Sequence, residues 1–130
     1  MTERDTYRLM RAPLVERGFE ITRIENSISS GIPDFYYVKS GDQGWVELKV
    51  FRGNNLQHRI TPNQEAWIWL HAKAGVRVFI IAGDPKDRSL WIWDGIKVRD
   101  FRHKLAREIP PIAVYSKPYD WGEVASCLTD

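Results

Sequence analysis

The sequence predicts an α/β fold in which helices flank a mixed β-sheet. Three observations carry this prediction: a hairpin pattern over residues 35–50, a capped helix that begins after Thr61 and ends at Gly75, and a β-rich apolar run at residues 76–82. Such a run is typical of a buried parallel strand that returns after a helix. The predicted order of elements is α-β-β-β-α-β, followed by a C-terminal hairpin and helix.

The N-terminal elements are predicted from local signals. Residues 2–5 (Thr-Glu-Arg-Asp) have the spacing of a capping box at the start of a helix. Pro13 is expected to kink or split this helix, and Gly18 to end it. A strand at residues 19–25 and a polar loop follow, in which Gly31 is expected to be a flexible point.

The hairpin is predicted from two β-rich segments, at residues 35–38 and 45–50, that are joined by turn-forming residues at 40–44. Side chains alternate along a strand. The apolar side chains of the second strand should therefore point into a core, while Glu47 and Lys49 share the opposite, polar face.

The C-terminal third carries a second hairpin signal. Residues 90–93 and 96–98 are apolar, and they flank Asp94-Gly95, a dipeptide that favours a two-residue turn. The remaining predictions are a helix at residues 100–108, a break at residues 110–111 and a short helix after Asp120.

Bulk composition is consistent with a single domain spanning residues 1–130. The formal net charge of +2 permits nucleic-acid binding without indicating it. The charged N-terminus leads into no apolar targeting segment, and no apolar stretch is long enough to cross a bilayer. Cys127 is the one cysteine and cannot form an internal disulfide. We therefore expect a cytoplasmic protein that does not contact membranes.

Asp34, Glu47 and Lys49 are the residues that suggest chemistry. Folding the hairpin about Gly41 brings Asp34 opposite either Glu47 or Lys49, and both registers leave the two carboxylates within reach of one ion. Carboxylates this close repel each other unless a proton or a hard cation relieves the repulsion. An oxygen-only ligand set favours Mg²⁺ or Mn²⁺ over zinc. Lys49 would orient a water or offset charge on a phosphate.

Three segments carry a resemblance to a known family: Gly-Ile-Pro-Asp at residues 31–34, Glu-Leu-Lys at 47–49 and Thr-Pro-Asn-Gln at 61–64. They resemble the PD-(D/E)xK nuclease superfamily and, within it, the small stand-alone VRR-NUC domains of phage type. The resemblance covers about the first two thirds of the chain and fades beyond Gly83. It implies a restriction-endonuclease-like core and a hydrolase that acts on phosphodiester bonds.

The resemblance also implies roles for individual residues. Asp34 and Glu47 would bind the metal ion together with the backbone carbonyl of Leu48. Lys49 would assist the attacking water, and Gln64 would face the site from the following helix.

Two assignments stay open. Gln64 is also the N3 residue of a capping box whose N-cap is Thr61, and that role needs no active site. Relatives often carry a further acidic residue on the first helix, for which Glu16 is the candidate, with Glu3 and Asp5 as alternatives.

Basic residues near the proposed site are candidates for phosphate contacts. Arg52, His58 and Arg59 follow Lys49 in the chain, and a solvated surface loop explains them equally well. A second basic group at helical spacing is adequately explained as a charged helix surface: Arg99, Arg102, His103, Lys104 and Arg107.

We therefore expect a metal-dependent nuclease that hydrolyses DNA of branched, flap or junction structure, with RNA as substrate left open. The alternatives are a catalytically degenerate nucleic-acid-binding or accessory module, and a structural interaction domain. A homodimer is expected, with residues 90–93 and 109–121 as candidate interfaces because both segments are rich in apolar and aromatic side chains.

Overall fold

A computed structural model describes residues 1–24 and 30–130. The predicted strand at 19–25 and the predicted loop at 26–33 therefore lie partly outside the described residues. Within them the chain forms the elements α1 (Glu3–Glu16), β1 (Glu20–Arg23), β2 (Phe35–Lys39), β3 (Asp42–Arg52), β4 (Asn55–Leu56), α2 (Pro62–Lys73), β5 (Val78–Gly83), β6 (Leu90–Asp94), a first 3-10 helix (Gly95–Arg102), a second 3-10 helix (Ala106–Glu108), β7 (Ala113–Tyr115) and α3 (Trp121–Thr129).

The strands form one mixed sheet in the order β1-β2-β3-β5-β6-β7, and β4 pairs with the end of β3. The pair β3–β5 is parallel, as expected for a strand that returns after a helix, and the other pairs are antiparallel. The predicted α/β architecture with a mixed sheet flanked by helices is thus confirmed.

Helices cover both faces of the sheet, so the molecule has two cores. On one face α1 and α3 pack on the sheet, with Met10, Leu48 and Leu128 among the fully buried side chains. On the other face α2 and the two 3-10 helices pack on it, with Ile68 and Trp93 at the centre. Because β3 lies in the middle of the sheet, both of its faces are covered.

The hairpin register follows from a two-residue turn. Ser40 and Gly41 both have positive φ, at 49° and 88°, as a type I′ turn requires. Lys39 therefore pairs with Asp42, and the same register runs down the hairpin to the pair Phe35–Val46. One step further along the chain, Asp34 lies opposite Glu47, which selects the first of the two predicted registers.

Pro13 was expected to kink or split the first helix. The split is wrong, because α1 is one helix that continues three residues past Pro13. Pro13 cannot donate a hydrogen bond to the preceding turn. Met10 and Leu14, which precede and follow it, are fully buried against the sheet. This packing holds the last turn in place without the missing hydrogen bond.

The predicted Asp94-Gly95 hairpin is also wrong. The Asp94 side chain accepts a hydrogen bond from the Ile96 amide at 2.9 Å and caps the first 3-10 helix, so no strand follows. The partners of β6 are β5 before it and β7, which sequence analysis did not predict, after it. The short C-terminal helix begins after Asp120 as predicted.

One of the two candidate dimer interfaces lies inside the molecule. Leu90, Ile92 and Trp93 are completely buried between β5 and β7 and in the two cores, so the segment 90–93 has little apolar surface to offer a partner. The segment 109–121 includes β7, where Val114 and the preceding Ile112 are about half exposed. Among the described helices, none has the length and apolar character that a membrane span needs.

Candidate active site

Glu47 and Lys49 project from the central strand β3 on the side covered by α2. Alternation along the strand puts them on the same face, as predicted. The face is not solvated, however: the two residues are only 2% and 3% exposed. The strand pattern indicates which side chains share a face, but it does not reveal that another helix covers that face.

Asp34, which directly precedes β2, is held beside them. Its carboxylate Oδ2 accepts a hydrogen bond from the Leu48 amide at 2.7 Å. Its backbone carbonyl accepts one from the Ile24 amide at 2.8 Å, which fixes the chain where it enters β2. The two bonds hold the carboxylate against the strand that carries Glu47.

The Leu48 carbonyl lies on the same side of β3 as the Asp34 carboxylate. In a strand the amide and the carbonyl of one residue point to the same neighbour. The Trp45 amide points towards the β5 side, where it donates to Arg77, and the Val50 carbonyl points the other way, where it accepts from Gln57. Leu48 has the same orientation as Val50, so its carbonyl points to the side of β3 on which its amide meets the Asp34 carboxylate.

Gln64 forms the capping box and also contacts both Glu47 and Lys49. The capping box at the start of α2 is present: the Thr61 hydroxyl accepts from the Gln64 amide at 3.2 Å, and Gln64 Oε1 accepts from the Thr61 amide at 3.0 Å. The same side chain donates from Nε2 to Glu47 Oε2 at 3.3 Å and accepts from Lys49 Nζ at 3.1 Å. Helix start and candidate site therefore share one amide group.

Lys49 is held in place by three neighbours. Its Nζ donates to Gln64 Oε1 and, at 3.2 Å, to the Arg59 carbonyl, and it lies 3.9 Å from Glu47 Oε2. The ammonium is thus buried against a carboxylate and two neutral acceptors. This arrangement fixes its position more tightly than an exposed Glu-Lys pair would.

The site holds two neighbouring carboxyl groups away from water. Burial, followed by the charge of Asp34, raises the pKa of Glu47 to about 9, against a partial offset from Lys49. Burial also raises the pKa of Asp34, although the hydrogen bond from Leu48 opposes the shift. Glu47 Oε1 is buried and has no hydrogen-bond partner among the described residues. A buried carboxyl oxygen without a protein donor among the described residues is available to a proton or to a cation.

The acidic residue of α1 that reaches this site is Glu3. Burial raises its pKa, and its charge interacts with Lys49 and Asp34. Glu16, the candidate offered by the sequence, is exposed thirteen residues further along the same helix, about 20 Å away along its axis. Asp5 is used in the capping box with Thr2. Once α1 proves continuous, its length separates these three candidates.

Gly31 is a point of close approach, not the flexible point that was expected. It is buried, with φ of 74°, and a Cβ atom there would lie 2.2 Å from the Asn63 carbonyl oxygen and 2.9 Å from the Gln64 amide nitrogen. Any side chain would push the segment before Asp34 away from the first turn of α2. Gly31 thus belongs to the motif that the sequence indicates, but its role there is to permit close approach rather than to provide flexibility.

The basic candidates surround the site without entering it. Arg52, His58 and Arg59 are exposed. The charge of His58 acts on Glu3, where it partly offsets the rise in the pKa of that carboxyl group. Three of the five residues of the second basic group are engaged elsewhere. Arg99 lies over the Trp69 ring, Arg102 pairs with Glu65, and Arg107 pairs with Asp84 and lies over the Phe51 ring.

A metal ion here would depend on few side chains. No group of three or more His, Cys, Asp or Glu side chains suited to hold an ion occurs in residues 1–24 and 30–130. The donor set consists instead of two carboxylates and a backbone carbonyl. These hard oxygen ligands, together with the unsatisfied Glu47 Oε1, fit a divalent cation that keeps several waters, such as Mg²⁺ or Mn²⁺.

Comparison with known proteins gives a likeness in fold. No model of a known protein family matches the chain, and no curated protein matches it. Among solved structures it is similar to Archaeoglobus fulgidus Hjc, described as a Holliday junction resolvase from an archaeal hyperthermophile, with a TM-score of 0.51 and 15% sequence identity over 72% of this chain and 74% of that chain. At this identity the likeness shows the fold alone, and the chain has the restriction-endonuclease-like fold that its sequence predicts.

Proposed function

We propose that the protein is a metal-dependent nuclease that hydrolyses phosphodiester bonds in DNA. One observation carries the proposal. The carboxyl groups of Asp34, before β2, and of Glu47, on β3, lie beside the buried ammonium of Lys49. Burying these charges together is unfavourable for folding, so an arrangement of this kind points to chemistry. A binding module would need no acidic group facing a phosphate.

Each residue has a distinct task in this proposal. Asp34, Glu47 and the Leu48 carbonyl would hold Mg²⁺ or Mn²⁺, which when bound would offset phosphate charge and lower the pKa of a water. Lys49, fixed by Gln64 and the Arg59 carbonyl, would orient the attacking water and offset charge that develops on the phosphate. Gln64 would fix the position of the Glu47 carboxylate relative to the Lys49 ammonium, because it bonds to both.

The finer assignments rest on likeness. Branched or junction DNA is proposed as the substrate because the similar solved structure is described as a Holliday junction resolvase. The affiliation with small VRR-NUC domains rests on the three sequence segments that resemble that group. A homodimer through the partly exposed β7 edge is proposed as well, and light scattering across a concentration series that gave only the monomer mass would contradict it.

The test is cleavage of labelled single-stranded, duplex, flap and four-way DNA with Mg²⁺, with Mn²⁺ and with a chelator. We expect cleavage only with metal, and loss of at least about a hundredfold in rate for Glu47→Gln. Glu16→Gln, which removes an exposed carboxylate from α1, is the matched control and should cut like the parent.

Calorimetry with Mg²⁺ or Mn²⁺ gives an independent readout. The parent protein should bind metal and Glu47→Gln should not. A well-folded parent that neither binds metal nor cuts any of the four DNA structures would contradict the proposal and favour the degenerate binding module.

A further inference from the structure

A groove of about 800 Å³ lies beside the candidate active site, between the start of α2 and the two 3-10 helices. Its volume is within the range of small-molecule and cofactor sites. The groove begins next to the catalytic candidates: Arg59, whose carbonyl accepts from Lys49, lines it, and so does Thr61, whose amide donates to Gln64. The C-terminal helices that form its far wall lie beyond the segments that resemble known nucleases.

The walls of the groove are tied together. Arg102 on the first 3-10 helix donates from Nε to Glu65 Oε1 on α2 at 2.7 Å, with a second contact between the same two groups. At the other end the Ala106 amide donates to Asn55 Oδ1 at 3.3 Å. These bonds connect elements that are distant in sequence, so the groove is formed without a ligand.

The lining combines an apolar floor with a basic rim. Ile60 and Phe101 are half-buried and pack on the core beneath, and Leu105 is 43% exposed at the edge. Arg59 and Lys104 are exposed on the rim and form no ion pair with any of the described residues. Of the two carboxylates of the lining, Glu65 is offset by its ion pair with Arg102. Glu108 keeps its charge and accepts from the Leu105 amide, so Arg59 and Lys104 leave the lining with a net positive charge.

This lining fits one class of ligand. An apolar floor offers a surface for the faces of nucleobases, which are stacked out of reach in a duplex. A basic rim attracts the phosphates on either side. We propose that the groove binds an unpaired stretch of the nucleic-acid strand that passes through the active site. The inference rests on the proposed nuclease function and adds to it a preference for substrates with a single-stranded arm.

Two pairs of variants test the groove. Lys104→Glu reverses a rim charge, and its control Lys97→Glu reverses an exposed charge on the first 3-10 helix outside the groove. Leu105→Ser removes an apolar edge, and its control Ile96→Ser removes a side chain of similar exposure, 40% against 43%. A charge pair and an apolar pair separate the contribution of the basic rim from that of the apolar edge.

The first measurement is fluorescence anisotropy with a labelled oligodeoxynucleotide of about ten nucleotides, with calcium replacing magnesium. Lys104→Glu and Leu105→Ser should each raise Kd at least about fivefold, and the two controls less than about twofold. This assay does not depend on cleavage. It therefore still reports on the groove if the parent protein proves unable to cut DNA, an outcome that would overturn only the proposed function.

The second measurement is cleavage of forked DNA and of blunt duplex by the same proteins. The groove variants should raise KM for the fork with little change in kcat, and should affect the blunt duplex less. Equal effects of groove variants and controls would overturn the inference. Equal effects on fork and blunt duplex would overturn the proposed preference for a single-stranded arm, because the groove would then contact duplex phosphates.

Discussion

The two faces of β3 are equally buried, yet they differ in what burial does for the protein. On one face Val46 and Leu48 contact α1 and α3 across an apolar core. On the other, Glu47 and Lys49 are as inaccessible as their apolar neighbours. Removing apolar groups from water stabilises the fold, whereas removing charges from water costs free energy that an imperfect ion pair does not recover. Burial in this strand therefore stabilises the fold on one face and opposes it on the other, where the proposed active site lies.

The largest effect on stability is expected on the apolar face. Leu48→Ala should lower the free energy of unfolding by roughly 2–5 kcal/mol, because it removes buried methyl groups and leaves a cavity. The melting temperature should fall by roughly 10 °C. Leu48→Met, which conserves volume, is the control and should cost less than about 1.5 kcal/mol. A cost below 1 kcal/mol for Leu48→Ala would show that this face is less tightly packed than the structure indicates.

On the polar face the expected sign is reversed. Glu47→Gln should raise the stability of the metal-free protein at pH 8 by roughly 1–3 kcal/mol, since glutamine is neutral beside Asp34 without the proton that the buried Glu47 must take up on folding at this pH. The pH dependence follows from the raised pKa of Glu47. Between about pH 4.5 and pH 9 the folded state holds a proton that the unfolded state has released, so stability falls as pH rises.

Thermal melts of the metal-free parent and of Glu47→Gln across pH 5 to 9 measure both effects. The parent should lose stability over this range, and the variant should lose less. A variant that is less stable than the parent at every pH would mean that the Glu47 carboxylate contributes to folding as the apolar face does.

The smallest effect on stability is expected at the start of α2. Two variants there distinguish the role of Gln64 in the helix cap from its proposed role in the active site. Thr61→Ala removes the hydroxyl that accepts from the Gln64 amide, and should cost roughly 1 kcal/mol while leaving turnover nearly unchanged. Gln64→Ala should cost a similar amount and also lower turnover at least about tenfold, because Lys49 and Glu47 lose their shared partner. Equal turnover in the two variants would mean that Gln64 contributes to the helix cap but not to the active site.

Local signals were sufficient for much of the site. Local signals narrowed the hairpin to two registers, and the two-residue turn at Ser40-Gly41 in the structure selects the one in which Asp34 lies opposite Glu47. The capping box at Thr61 fixes where α2 begins, and with it the position of Gln64. In both cases the determining interactions join residues that are close in sequence, so the pattern of residue types carries the geometry.

Tertiary contacts determine what the sequence did not predict. Asp94-Gly95 has the composition of a hairpin turn, but β6 finds its partners in β5 and in the distant β7, which leaves Asp94 free to cap a 3-10 helix. The burial of Lys49 and the approach of Glu3 depend on how helices pack on the sheet. No local pattern reports packing of this kind.

The shared amide of Gln64 has a consequence for comparing sequences across relatives. Glutamine and glutamate serve a capping box equally well at this position. A glutamate here would preserve the helix start but replace the group that donates to Glu47 with another carboxylate, three residues from Thr61 and directly beside the existing pair. A substitution that an alignment scores as conservative would thus change the charge of the site by a full unit. Relatives that differ only in this way should be sorted by metal requirement before they are grouped by similarity.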